Sequence, residues 1–305
     1  MEIFWNGSDI TGFVRPIHCL HRDGGEGRSD GLDIAFHQAE HWNRWDPRPD
    51  DRIEVKLKGY TTGTMYLNTS IPDRGKFRVH ALGVPRAARR RESRSYENMT
   101  LRDIMESCAA ECGMGWSLWG LDDRQRYPYL LREDESAPAF ISRLLGMEGA
   151  ALKAVNGKLT GIGITWAQGR SAARALYIRA DNPGARHIKK WDAEWSGLRV
   201  QGINLSAMAR DTMVDLFHQP TLCHLPVTDA ITAGRWARGL LLCHNRQAEE
   251  LTLDMGLSSD MTAMVRADIE GGTKADGAWI VEEAEHDLMN GKSRVKLLRC
   301  RTGIV

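Results

Sequence analysis

The sequence predicts a mainly β protein with α+β insertions, and three observations carry that prediction. Residues 1–84 hold six short runs in which apolar and polar residues alternate, separated by turn-forming clusters. From residue 158 to the end the same strand pattern returns. Strong helix signals are confined to the stretch between these β regions and to one segment near residues 229–247. The expected organisation is therefore a β domain over 1–84, a linker and small α+β domain over 85–157, and a second β domain over 158–305 carrying the inserted helix 229–247.

In chain order, Met1–Trp5, Phe13–Leu20 and Gly31–Phe36 read as strands, the first two separated by Asn6-Gly7. In Ile53–Leu57 the residues Ile53, Val55 and Leu57 share one face, and Glu54 and Lys56 the other. Met65–Asn68 and Phe77–Leu82 complete a set that suggests a small barrel or sandwich. The interrupting segment Trp42–Asp51 pairs Trp with carboxylates, which can stack on and hydrogen-bond a sugar, but a loop following a strand is the preferred reading. From Pro85 the chain turns to Arg86, Arg89, Arg90, Arg91 and Arg94, read as a linker between layers with an interfacial role.

Thr100 can cap a helix from Leu101 to Cys112, with Leu101, Ile104, Met105, Cys108 and Cys112 as its buried stripe and Gly113 as its end; Trp116–Trp119 follows as a strand. The stretch Tyr127–Ile164 then reads as strand, helix and hairpin. Tyr129–Leu131 is a short apolar run, and Ser136 or Asp134 can cap a helix whose first turn accepts Pro138. Phe140, Ile141, Leu144 and Leu145 form its apolar face, Gly146 and Gly149 let it end, and Asn156-Gly157 suits a type I′ hairpin turn. Farther on, Leu176–Arg179, Leu198–Leu205, Asp211–Phe217 and Leu222–Leu225 are strand candidates, and DTMVDLF also fits a short helix. Thr228 or Asp229 caps the inserted helix. The chain ends in strands at Glu250–Leu257, Met264–Asp268, Trp279–His286 and Arg294–Arg299, with Asn290-Gly291-Lys292 turning a closing hairpin.

Composition narrows the function classes. At 305 residues the chain can build more than one core, and no apolar run approaches the roughly 20 residues of a membrane span. The start, MEIFWNGSDI, carries no basic segment followed by an apolar one, so cytoplasmic synthesis is expected. Lys plus Arg number 41 against 40 Asp plus Glu, which argues against electrostatic binding of nucleic acid by the whole protein. Ten Trp point to extensive packed or interfacial surface. Cys19, Cys108, Cys112, Cys223, Cys243 and Cys300 include no CxxC pair, so free thiols and no metal are expected. Asp192 and Glu194 would share a strand face too closely for a glycosidase pair, and His244 has no Asp or Ser in triad order. No catalytic, cofactor-binding or metal residue is assigned, and no enzyme activity is expected.

Tyr129, Glu133, Glu135, Ser136, Phe140, Arg143, Leu144, Leu145, Glu148 and Gly149 form an ordered signature. It resembles that of the tail-hub family: the late control D proteins of contractile-tailed phages, the hubs of related bacteriocins, and the hub part of type VI secretion spike proteins. A second match lies in Gly277-Ala278-Trp279-Ile280-Val281 followed by Glu285-His286-Asp287, similar to a strand near the C-terminal end of late control D proteins. The specific matches are confined to about 129–153 and 277–298.

The resemblance implies two similar small β-barrels in one chain, and a homotrimer whose six quasi-equivalent barrels join a six-fold tail tube to a three-fold spike. Implied partners are further copies of the chain, a spike on a separate polypeptide, and the tube or tube-initiator protein, with the tape measure and wedge proteins as further candidates. The implied location is the baseplate of a virion tail or tail-like particle. Neither membrane insertion nor sequence-specific nucleic-acid binding is expected. The competing readings are a tail-associated peptidoglycan or polysaccharide hydrolase, for which Glu133 and Asp192 would be the acids to test, and a carbohydrate- or nucleic-acid-binding module resting respectively on the Trp–acid loops Trp42–Asp51 and Lys189–Ser196 and on the Arg86–Arg94 run.

Overall fold

The computed structural model describes residues 1–305 except 26, 38–41, 43 and 216–217. The chain opens with β1 (Glu2–Trp5), β2 (Ser8–Asp9), β3 (Pro16–Gly24), β4 (Gly31–His37), β5 (Arg52–Leu57), β6 (Tyr60–Thr61), β7 (Met65–Asp73) and β8 (Lys76–Leu82). A middle stretch follows with β9 (Arg91–Thr100), α1 (Leu101–Glu111), β10 (Gly115–Trp119), β11 (Arg126–Ser136), α2 (Ala137–Met147), β12 (Ala150–Val155), β13 (Lys158–Gly163) and the short α3 (Ile164–Gln168). The remainder contains β14 (Arg174–Tyr177), β15 (Ala185–Lys189), β16 (Gly197–Gln201), β17 (Ser206–Arg210), β18 (Thr221–Leu222), α4 (Ala230–Asn245), β19 (Glu249–Gly256), β20 (Arg266–Glu270), β21 (Gly277–Asp287) and β22 (Lys292–Arg299).

The first and last β regions join edge to edge. One 14-stranded sheet runs β15-β19-β22-β21-β3-β4-β8-β7-β5-β1-β2, with β20 and β14 branching from β21 and β6 from β5. The seam is the antiparallel pair β3–β21, in which His286 stands opposite His21 and Glu283 opposite Gly24. Each side keeps its own core. Ile3, Trp5, Leu32, Ile34, Phe36, Val55 and Val79 fill the first, whereas Leu251, Leu253, Ile269, Trp279, Val281, Val295 and Leu297 fill the second. No sheet closes on itself among the described residues.

Local chemistry explains the elements. In β8 the buried residues Phe77, Val79 and Ala81 alternate with more exposed ones, as a strand with one face on a core requires. Thr100 and Asp103 form a capping box on α1, the Asp103 amide donating to Thr100 Oγ1 (3.2 Å) and the Thr100 amide to Asp103 Oδ2 (3.1 Å). Ser136 Oγ accepts from the Ala139 amide to start α2, and Asp229 accepts from the Thr232 amide to start α4. Asn156 (φ 48°) and Gly157 (φ 73°) both take positive φ between β12 and β13, as the type I′ turn demands. A third core gathers α1, α2, β12 and β13 together with β16, β17 and α4, so it draws on residues before and after the β12–β13 hairpin.

Four element expectations change. The Arg-rich stretch is not a bare linker: a 3-10 turn, Arg86–Arg89, leads into ten-residue β9, which pairs antiparallel with β11. The ribbon is mostly exposed, so its strands carry charge instead of the apolar alternation that would announce them. β11 likewise continues past Leu131 through the acidic cluster, its register shifting between Arg132 and Glu135, where Asp134 has φ 44°. Asp211–Phe217 contributes only an isolated bridge from Asp211 to Ile304, while Leu216 and Phe217 lie outside the described residues. Gly146 stays within α2, and Gly149 (φ 69°) alone supplies the positive φ after it.

Candidate functional site

The signature residues of the middle stretch build a joint. α2 ends at Glu148, whose carboxylate accepts from Tyr127 Oη (2.9 Å) on β11, and from Trp236 Nε1 (2.7 Å) and Arg235 Nε (2.5 Å) on α4. Its side chain is 5% exposed. Burial pushes the Tyr127 hydroxyl well above its ordinary range, and the Glu148 charge adds to the effect. Burial works against the Arg235 charge, yet the bonds to Glu148 hold its pKa above normal. Next to Glu148 the chain must pass very close to α4. A Cβ on Gly239 would stand 2.2 Å from the Met147 carbonyl oxygen and 2.4 Å from the Gly149 nitrogen, so only glycine fits.

Most of the rest of the signature is likewise architectural. Arg143 holds Glu135 through two bonds (Nε–Oε1 3.1 Å, Nη2–Oε2 2.8 Å) and donates to the Leu131 carbonyl (2.9 Å). Phe140, Leu144 and Leu145 are buried, whereas Tyr129 and Glu133 face solvent. Arg132, which the sequence reading passed over, is fully buried. It grips Glu111 in fork geometry (2.7 and 2.8 Å) and donates to the Glu135 carbonyl (2.7 Å), tying the ribbon to α1.

A second cluster lies where the three stretches of chain meet. Lys153 projects from β12 between the carboxylates of Asp23 and Asp30, with Asp30 Oδ1 at 3.3 Å, and all three side chains are at most 8% exposed. Asp23 also accepts from the Ala263 amide (3.1 Å) and Asp30 from the Gly24 amide (3.1 Å). Burial raises Asp30 to about 7, the Asp23 charge adding to it and Lys153 opposing it. Burial opposes the Lys153 charge, but the two carboxylates outweigh it and raise its pKa. On the two sides of the seam, His21 hydrogen-bonds Tyr60, and His286 Nδ1 lies 2.8 Å from Ser293 Oγ. Burial drives His21 down to about 3 and lowers His286 as well, so both rings are neutral near pH 7. A lone Lys in the apolar run Ala150–Val155 was the sequence signal for this cluster, since an unpaired ammonium is rarely buried.

Residues weighed for chemistry sit in structural roles. His244 stacks on Trp195 with ring centroids 3.4 Å apart, and its Nε2–H donates to the Ala193 carbonyl at 2.9 Å. Glu194 pairs with Arg301, while Asp192 and Glu133 are exposed, and neither of these two lines any of the larger cavities described. In the Trp42–Asp51 segment Trp42 is buried, whereas Trp45 is 41% exposed and Asp46, Arg48 and Pro49 face solvent. Trp42 stacks on Phe77 (5.0 Å) and Trp45 (5.2 Å), and Asp51 accepts from Trp5 Nε1 (3.2 Å). Cys19, Cys108 and Cys112 are buried thiols with raised pKa, the opposite of an activated nucleophile. Among the described residues no group of three or more His, Cys, Asp or Glu could hold a metal ion, and no helix is long and apolar enough to cross a membrane.

The surface instead offers aromatic side chains. Trp119 (52% exposed) and Trp166 stack on each other with Arg170 over the second ring, and Tyr177 and Trp191 stand out into solvent. Exposed Trp, Tyr and Arg are the residues that protein–protein contacts favour.

No protein-family profile and no curated protein matches the sequence. Solved structures do match the fold. A tail protein from Neisseria meningitidis MC58 superposes with a TM-score of 0.76 at 11% identity, covering 98% of this chain and 95% of that one. The 43 kDa tail protein of prophage MuSo2 from Shewanella oneidensis gives 0.72 at 13% identity, covering 98% and 97%. The E. coli c3393 protein, described as a component of the type VI secretion system with structural similarity to the T4 bacteriophage tail proteins gp27 and gp5, gives 0.60 at 12% identity, covering 99% and 77%. The chain therefore has the fold of phage tail proteins and of a type VI secretion component, in agreement with the resemblance carried by Tyr129–Gly149 and Gly277–Asp287.

Proposed function

We propose that this chain is a structural baseplate hub of a contractile phage tail or tail-like particle, working by shape and contact. Two β units with separate cores, fused through β3–β21 within one chain, are the observation that carries the reading. Three copies would present six such units, in the role the resemblance gives to barrels, and so match a six-fold tube to a three-fold spike. The Glu148 joint and the Lys153 cluster would hold the units at a fixed angle, which a ring needs. Its partners would be two further copies of itself, the spike and the tail tube or tube-initiator protein, with tape measure and wedge proteins at the periphery. The domain division at residues 84 and 157 belongs to the same proposal, as does assembly in the host cytoplasm. Absence of catalysis fits the settings of His244, Glu194 and the buried thiols Cys19, Cys108 and Cys112. Sedimentation of the chain with and without its co-expressed spike tests this: a trimer, alone or on the spike, is expected, and a monomer under both conditions contradicts it.

A further inference from the structure

The outer edge of β15 combines an open strand with a basic, aromatic hollow. β15 ends the large sheet, bonded to β19 on one side, and among the described residues no strand pairs with its other side. The strand reads Ala-Arg-His-Ile-Lys and runs on into Lys190 and Trp191, with Arg186 and Lys190 exposed. Beside it His187, Lys189, Trp191, Glu249, Lys274 and Arg299 line a hollow of about 600 Å³. Three cations thus face one carboxylate. That carboxylate is already engaged, Glu249 accepting from Arg299 Nε (2.7 Å) with His187 Nε2 at 2.9 Å and Lys189 Nζ at 3.9 Å. Lys274 and part of the Lys189 charge therefore remain for an outside anion. Trp191 is 77% exposed at the rim, with Lys189 Nζ 4.2 Å from its ring centroid.

Lysines on an edge strand can simply repel unwanted strands. That account explains Arg186 and Lys190 but leaves an exposed Trp beside a cationic hollow without a purpose, because large exposed apolar groups invite the association that edge charges prevent. We propose that β15 and this hollow dock an extended acidic segment of a partner protein. The segment adds its backbone to the free edge of β15, places a carboxylate between Lys189 and Lys274, and covers Trp191 with an apolar side chain. The site stands apart from the Glu148 joint and does not depend on the trimeric reading.

The test is fluorescence anisotropy with labelled peptides of roughly ten residues, a length that spans one strand. One alternates Glu with Val and Thr, a second has Lys in place of Glu, and a third keeps the Glu residues but carries Pro at alternate positions so that it cannot pair. The expected result is saturable binding of the first peptide only, weakened by salt. K189E/K274E should lower that affinity by about tenfold or more, and Trp191→Ala by a smaller factor. Arg186→Glu, at an exposed position, gives a second charge reversal, and an unchanged thermal midpoint confirms that each variant is folded. No binding of the acidic peptide by the native protein overturns the proposal. So does equal binding of all three peptides, or full affinity in the charge-reversed variants.

Discussion

Glu148 holds donors from two other elements in a nearly dry setting, so its replacement reports directly on the joint. Gln keeps one acceptor for Tyr127 and Trp236 but removes the charge and turns an NH₂ group toward the Nε–H of Arg235. Glu148→Gln should lower stability by about 3 kcal/mol, read from urea unfolding midpoints at constant m-value. A loss below about 0.5 kcal/mol would mean that the pair adds nothing net.

Titration at the seam has a sign that follows from burial. The folded pKa of His21, about 3, lies below the unfolded value, so its contribution is present at neutral pH and is lost as pH falls from about 6.5 toward 3. Asp30 runs the other way. Its folded pKa of about 7 exceeds the unfolded one, so its contribution is present in acid and is lost as pH rises from about 4 through 7. The two oppose each other across their shared window, and the lowered His286 sides with His21. Urea midpoints measured against pH should therefore show a flatter rise from about pH 4 to 6.5 in His21→Gln and a steeper one in Asp30→Asn. Parallel curves for all three proteins would contradict this account.

At the scale of elements, the two glycine sites separate backbone conformation from packing. A Cβ at Gly157 would meet only Tyr66 Oη, at 3.6 Å, so Gly157→Ala should cost about 1 kcal/mol from its positive φ alone. Gly239→Ala drives a methyl group into the chain at Met147–Gly149 and should cost about 3 kcal/mol while loosening α4 from α2. Thermal or urea unfolding checks both, and an equal cost for the two would refute the close approach. Elements with local signals were the legible ones. The capping box at Thr100, the Asp229 cap, Asn156-Gly157 and the alternation in Ile53–Leu57 each announce structure within a few residues. β9 was hidden because both faces of the ribbon are largely wet, leaving no periodicity to read.

At the scale of the molecule, what escaped the sequence is what joins its parts. The β3–β21 pairing links residues more than 250 positions apart, and a strand's pattern says which face is buried but not which neighbour it takes. The partners of Arg132 and Lys153 come from other segments, so no local pattern names them. The signature residues identified the fold while their chemistry proved to be that of a scaffold: Glu148, Gly149 and His286 are spent on internal contacts. The proposed hub role would rest on the assembled surface, so the decisive observation is the copy number and symmetry of the chain in the particle it is proposed to belong to. Cryo-electron microscopy of that particle should show three copies on the tail axis between tube and spike, their six β units in a near-hexagonal ring. A single copy, or six copies each contributing one unit to the ring, would contradict the hub.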